Sequence, residues 1–166
     1  MKRAPANMVR TTPADIILLC QQMREDERQQ LAAFFPGFDN GFDPDEAARM
    51  LIPKTQGVAF TLLDDDSRPV CAGGWETVAD GVMQSWMVGS MAGWEKHWRS
   101  ITKGSRWLMD TLLESGVRRL QTNALASRTE ACRWYVDGLK MRPEGIWRGF
   151  GRQGQDVAFF SRLAGE

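Results

Sequence analysis

The sequence predicts a single α/β (α+β) domain, with a mixed, mostly antiparallel sheet flanked by helices. Three observations lead there. Residues 57–88 read as three strands joined by two tight turns, an antiparallel meander. Residues 94–112 place apolar side chains three or four positions apart, which is one face of a long helix. After residue 117 come a strand, a capped helix and a closing hairpin. At 166 residues the chain has the length of one domain. A chain of that size buries enough surface to fold without disulfides or a structural metal.

The elements follow in order. Residues 1–7 are expected to form a loose tail, with the domain spanning 8–166. Met8-Val9-Arg10 is a short strand candidate. Thr11 or Thr12 can cap the next helix, Pro13 suits its first turn, and Asp15 complements the positive end of its dipole. Ile16, Leu19, Cys20 and Met23 recur at helical spacing, so a helix is predicted over 13–24. A second helical piece over 25–34 stops at Phe35-Pro36-Gly37. A polar loop and a short helix over 45–51 follow. Strands are predicted at Gly57–Leu63, Pro69–Glu76 and Val82–Val88, with turns at Asp64–Ser67 and Ala79–Gly81. The long-helix stripe is Trp94, Trp98, Ile101, Ser105, Leu108 and Leu112, and Gly116 is the left-handed residue past its end. Val117–Ala124 reads as a strand. Ser127, with Glu130 three residues later, reads as a capping box for a helix carrying Ala131, Trp134, Tyr135 and Leu139. Arg142-Pro143-Glu144-Gly145 breaks it, and Ile146–Gly149 and Asp156–Arg162 close the domain as a hairpin.

Composition excludes several function classes. Lysine plus arginine and aspartate plus glutamate both number 21, so the net charge is zero, against a protein that coats nucleic acid by bulk charge. The spread is uneven: residues 1–83 carry 8 basic and 13 acidic side chains, and residues 84–166 carry 13 and 8. This is either composition bias or an anion-binding C-terminal half rich in arginine. No apolar signal region follows the basic start. The run Ile16–Cys20 is far shorter than the roughly 20 residues of a membrane span, so no membrane role and a cytoplasmic location are expected. Cys20, Cys71 and Cys132 lie far apart, which predicts free thiols and no metal site. His97 is the one histidine, which excludes a His-rich zinc site and makes a Ser-His-Asp triad hard to build.

Asp15, Leu19, Met23 and Arg24 form a D-x-x-x-L-x-x-x-M-R pattern. Ser85-Trp86-Met87-Val88-Gly89-Ser90 is a strand running into the long helix. Asn123–Trp134 and Gly138–Phe160 supply a strand, a Trp-bearing helix, a turn and closing strands. With the element order, these residues resemble the GNAT superfamily of N-acetyltransferases, and within it the GNAT-like internal-virion or assembly proteins of short-tailed phages. The resemblance implies transfer of an acetyl or other acyl group from acyl-coenzyme A to an amine, with acetyl-CoA as co-substrate and no metal. It implies that the backbone of Met87, Val88 and Gly89 pairs with the pantetheine arm where two parallel strands splay apart. Arg99, Thr102, Lys103 and Gly104 are the nearest match to the family's phosphate loop, with Thr102 where glycine is usual. The same stretch also reads as helix interior. In that case the phosphate contacts fall near Ser90–Gly93 or are absent.

Glu76 is the candidate base and Tyr135 the candidate acid that returns a proton to the departing thiolate. The alternatives are a solvated strand residue for Glu76 and a core-edge aromatic for Tyr135. In the family this tyrosine precedes a Gly-Phe pair by four residues. Here Lys140 stands where the phage family has glycine, so Tyr135 lies five residues back and its helical face turns by about 100°. His97 as a base and Cys132 near the acyl group are weaker candidates. Asp64–Asp66 reads as turn chemistry. The seven tryptophans are many for this length; most are expected to be core or core-edge anchors, and a stripe beyond what one core can bury would mark a protein partner or a homodimer. A virion or assembly protein of the same fold that has lost the chemistry is therefore the rival expectation. A phage protein that binds or modifies a host factor is a third.

Overall fold

The computed structural model describes residues 3–166; Met1 and Lys2 of the expected tail lie outside them. The chain runs β1 (Met8–Arg10), α1 (Pro13–Gln21), α2 (Glu25–Phe34), α3 (Pro44–Leu51), a 3-10 turn (Ile52–Gln56), β2 (Val58–Leu63), β3 (Pro69–Ala79) and β4 (Val82–Gly89). It continues with α4 (Met91–Glu114), β5 (Arg119–Leu125), α5 (Thr129–Arg133), a π turn (Trp134–Gly138), β6 (Arg142–Trp147) and β7 (Val157–Leu163). One seven-stranded sheet has the order β1-β2-β3-β4-β5-β7-β6. Every neighbouring pair is antiparallel except β4 and β5.

Strand alternation divides the core between the two faces. Ala72, Trp86 and Val88 point toward α1 and α3, where they pack with Ile16, Leu19 and Leu51. Trp75, Met83 and Phe160 point the other way, against Leu108, Met109 and Leu112 of α4. Gly93 lets the start of α4 press onto the first residues of β3, since a Cβ there would overlap the Val70 carbonyl oxygen.

Several local expectations are corrected. Asn7, placed in the tail, already exchanges bonds with β2: its Nδ2 donates to Leu63 O at 3.2 Å and its carbonyl accepts from Leu63 N at 2.9 Å. The first helix ends at Gln21 rather than 24, because Met23 bridges to Ser90 beside β4. The capping box belongs to α1, where Thr12 and Asp15 bond each other's backbone. At α5 the N-cap is Arg128, with no side-chain cap; its guanidinium reaches Asp26 and Gln30 instead. The supposed breaker Arg142–Gly145 is the first four residues of β6, an edge strand that absorbs Pro143 at a bulge. The Asp64 run is a turn: Asp64 Oδ1 accepts from the amides of Asp66 and Arg68, each at 2.9 Å.

Candidate active site

β4 and β5 pair in parallel only over Val82–Gln84 against Arg119–Gln121. β4 then follows β3 as far as Gly89 while β5 follows β7 as far as Leu125, so the two strands part. At the fork Ser85 Oγ donates to Thr122 Oγ1 at 2.6 Å. The opening is a cavity of about 600 Å3 roofed by α2 on one side and by α4 and α5 on the other.

Backbone direction along β4 alternates. Gly89 N donates to Glu27 Oε2 at 3.4 Å, on the open side, whereas Ser90 N donates to Val70 O at 3.1 Å, on the β3 side. Met87 therefore turns its N–H and C=O to the cleft as Gly89 does, and Val88 turns both to β3. Of the three expected backbone partners, Val88 is misplaced for a ligand in the cleft, and its side chain is buried in the core.

Arg99, Thr102, Lys103 and Gly104 do not form a loop. They lie in the third and fourth turns of α4, which starts at Met91 with Ser90 as its cap. Interior helical amides already bond the preceding turn, so no phosphate cradle of backbone N–H groups exists there. Thr102 Oγ1 bonds back to Trp98 O at 2.8 Å, and Gly104 packs on Met8 and Leu62. The side chains of Arg99, Thr102 and Lys103 do line an adjoining groove with Trp98, Arg133 and Trp134. The helix start selects the second expectation: the free amides are those of Met91 and Ala92, since Gly93 N bonds Ser90 Oγ at 2.9 Å.

Both catalytic candidates line the cavity. Glu76 on β3 receives Lys54 Nζ at 2.5 Å, and its side chain is 36% exposed. Tyr135 is kept on the cleft by the π turn. Leu139 N donates to Trp134 O at 2.9 Å, five residues apart, which takes up the extra residue marked by Lys140. Lys140 itself adopts φ +59°, the left-handed conformation a glycine would take. The Tyr135 ring packs between Trp134 and Phe160, and its hydroxyl bonds Thr122. Burial lifts that hydroxyl above the ordinary phenol range, against the pull of Arg128 and of the Thr122 bond. His97 and Cys132 do not line the cavity.

A further carboxylate lining the cavity had no sequence signal. Glu27 on α2 is 7% exposed, and its other oxygen accepts from Trp94 Nε1 at 3.1 Å. Burial pushes its carboxyl up to about 7, with Arg128 and the Trp94 bond opposing. Beside it, Asp26 bridges Arg24 at 3.0 Å and Arg128 at 2.9 Å. Trp86 also lines the cavity, and its Nε1 is buried without an acceptor among the described residues. No group of three or more His, Cys, Asp or Glu able to hold a metal occurs among the described residues. None of their helices is long and apolar enough to cross a membrane.

No protein-family model and no curated protein matches the sequence. Solved structures do match. A GNAT-family acetyltransferase from Bacillus anthracis superposes with a TM-score of 0.72 at 12% identity, covering 96% of this chain and 95% of that one. A ribosomal-protein-alanine N-acetyltransferase from Brucella melitensis gives 0.68 at 10%, with 94% and 98% covered. The fold is that of the GNAT acetyltransferases. A GNAT phosphinothricin acetyltransferase from Sinorhizobium meliloti, solved in complex with AcCoA, gives 0.62 at 14%, with 96% and 88% covered. The parted β4 and β5 thus belong to a GNAT fold that spans nearly the whole chain. The phage branch has the sequence resemblance alone behind it.

Proposed function

We propose that this protein is an acyl-CoA-dependent N-acyltransferase whose acceptor amine enters the cleft between β4 and β5. The observation that carries this reading is the early end of the β4–β5 ladder after Gln84. It leaves the Met87 amide and carbonyl facing a cavity large enough for a thioester arm and an acceptor. Acetyl-CoA supplies the activated acyl group. Met87 holds the arm by backbone bonds, and the amides of Met91 and Ala92 at the start of α4 face its phosphates. The Arg99 and Lys103 side chains offer further charge in the adjoining groove.

Glu76 takes one proton from the incoming ammonium. The freed nitrogen lone pair attacks the thioester carbonyl, the C–N bond forms and the C–S bond breaks. Tyr135 gives a proton to the leaving thiolate and recovers it from the amide nitrogen as that nitrogen loses its second proton.

Calorimetry with acetyl-CoA tests the reading. Saturable binding is expected, and no binding at millimolar ligand would remove the acyltransferase reading. Tyr135→Phe is expected to keep the affinity and lower kcat by about 100-fold, within the usual range for losing a general acid. An unchanged rate would return Tyr135 to the core.

A further inference from the structure

We infer that the acceptor is a free α-amino acid with an apolar side chain, recognised as a zwitterion by Lys54 and Glu76. This rests on the acyltransferase reading of the same cleft. The acceptor side of the cavity presents two kinds of surface. Leu31, Phe34 and Phe35 make an apolar wall. The same cavity is lined by Lys54 and Glu76, which hold each other at 2.5 Å, with side chains 21% and 36% exposed.

A half-buried pair of opposite charges selects its ligand by balance. An amine that draws Glu76 to its ammonium group strips Lys54 of its partner, and a lone charge facing an apolar wall is costly. A zwitterion avoids that cost, because its carboxylate replaces Glu76 at Lys54 while its ammonium replaces Lys54 at Glu76. The exchange also leaves the reacting nitrogen against the carboxylate that takes its proton. A substrate carboxylate has oxygens to accept from Lys54.

L-phenylalanine, L-phenylalanine amide and 2-phenylethylamine separate the claims, since they share the ring and the amine and differ in the carboxylate. With acetyl-CoA present, release of free thiol is expected to be at least about tenfold faster in kcat/KM for phenylalanine than for the other two, the discrimination typical of one charge-assisted pair. Equal rates for all three would overturn the inference. Lys54→Met is expected to raise KM for phenylalanine and bring the ratio toward one; an unchanged ratio would also overturn it. Calorimetry with phenylalanine alone reads the site without any chemistry. Binding of acetyl-CoA without binding of phenylalanine defeats this inference and leaves the acyltransferase reading standing. Binding of phenylalanine without any binding of acetyl-CoA removes the acyltransferase reading and the acceptor role with it, and leaves only an amino-acid site.

Discussion

Trp94 donates its indole N–H to Glu27 at 3.1 Å, and this bond ties the first turn of α4 to α2 across the open end of the cleft. The other Glu27 oxygen takes the Gly89 amide. Glu27 therefore occupies a backbone group at the end of β4 that would otherwise face the cleft. It does so from a site where its charge is poorly solvated.

That burial has a thermodynamic signature. The carboxyl sits at about 7 in the folded chain against an ordinary 4.5. The native state then binds more protons than the unfolded state between those values, so stability falls as pH rises through that window. The contribution is full below about 4.5 and lost by about 7, for a total of about 3 kcal/mol. Glu27→Gln keeps an acceptor and a similar shape while removing the titration. Urea midpoints measured at pH 5 and pH 8 should differ clearly in the natural chain and much less in the variant. Equal differences in both would mean that Glu27 is not the group responsible.

The π turn makes a second prediction. Lys140 is exposed and sits at φ +59°, so its side chain adds backbone strain with little packing in return. Lys140→Gly is expected to raise stability by about 0.5–1 kcal/mol, seen as a higher Tm. Deleting the residue instead restores the four-residue spacing, so the π hydrogen bond is no longer needed and Tyr135 should stay on the cleft. A deletion variant that folds but loses turnover would show that the π turn does more than absorb the extra residue.

Much of the fold was legible because its signals are local. The Pro69–Val88 meander carries its turns in sequence, and the Trp94–Leu112 stripe has one period throughout. The predicted ends of α2 and α3 fall within a residue of the observed ones. The site was less legible because its geometry comes from packing. Glu27 stands in a Glu25-Asp26-Glu27-Arg28 run that reads as a solvated first turn, and only the docking of α2 over β4 buries it. The direction of the Val88 backbone depends on ladder phase, which no side-chain pattern encodes. The register of Tyr135 depends on whether one extra residue rotates the helix or is absorbed as a π turn. Trp134 helps absorb it, since its ring lies against Gly138 and its Nε1 bonds Thr102 at 2.8 Å.

Gly104 separates the loop and helix readings of the Arg99–Gly104 stretch. It is buried on α4 against Met8 and Leu62, and a Cβ added there would lie only 2.9 Å from the Met8 sulfur. Gly104→Asp should therefore lower stability by several kcal/mol, because it buries an unpaired charge. A chemical denaturation curve reads this directly. Near-normal stability with lost acetyl-CoA affinity would restore a phosphate-loop role. Arg99→Ala, on the exposed side of the same helix, should leave stability within about 0.5 kcal/mol.

The opposite pH dependence belongs to the far edge of the sheet. Glu144 on β6 accepts from both terminal nitrogens of Arg119 on β5 and from Ser161 Oγ on β7. These bonds, the Arg119 one foremost, hold its carboxyl down to about 2. The folded value is below the ordinary one, so this stabilisation is present above about 4.5 and is lost as pH falls toward 2. The side chain is 36% exposed, so solvent screens the pair and its contribution is modest. Its effect is local because β6 is an edge strand whose ladder pairing is with β7, and all six of its residues are exposed. Hydrogen exchange at pH 3 should therefore open Arg142–Trp147 before β3 and β4. Glu144→Gln should show the same early opening already at pH 6, where the natural chain keeps its carboxylate. Protection of β6 equal to that of β3 at pH 3 would mean that the aromatic contacts of Trp147 with Phe150 and Phe159, and not the ion pair, hold the edge.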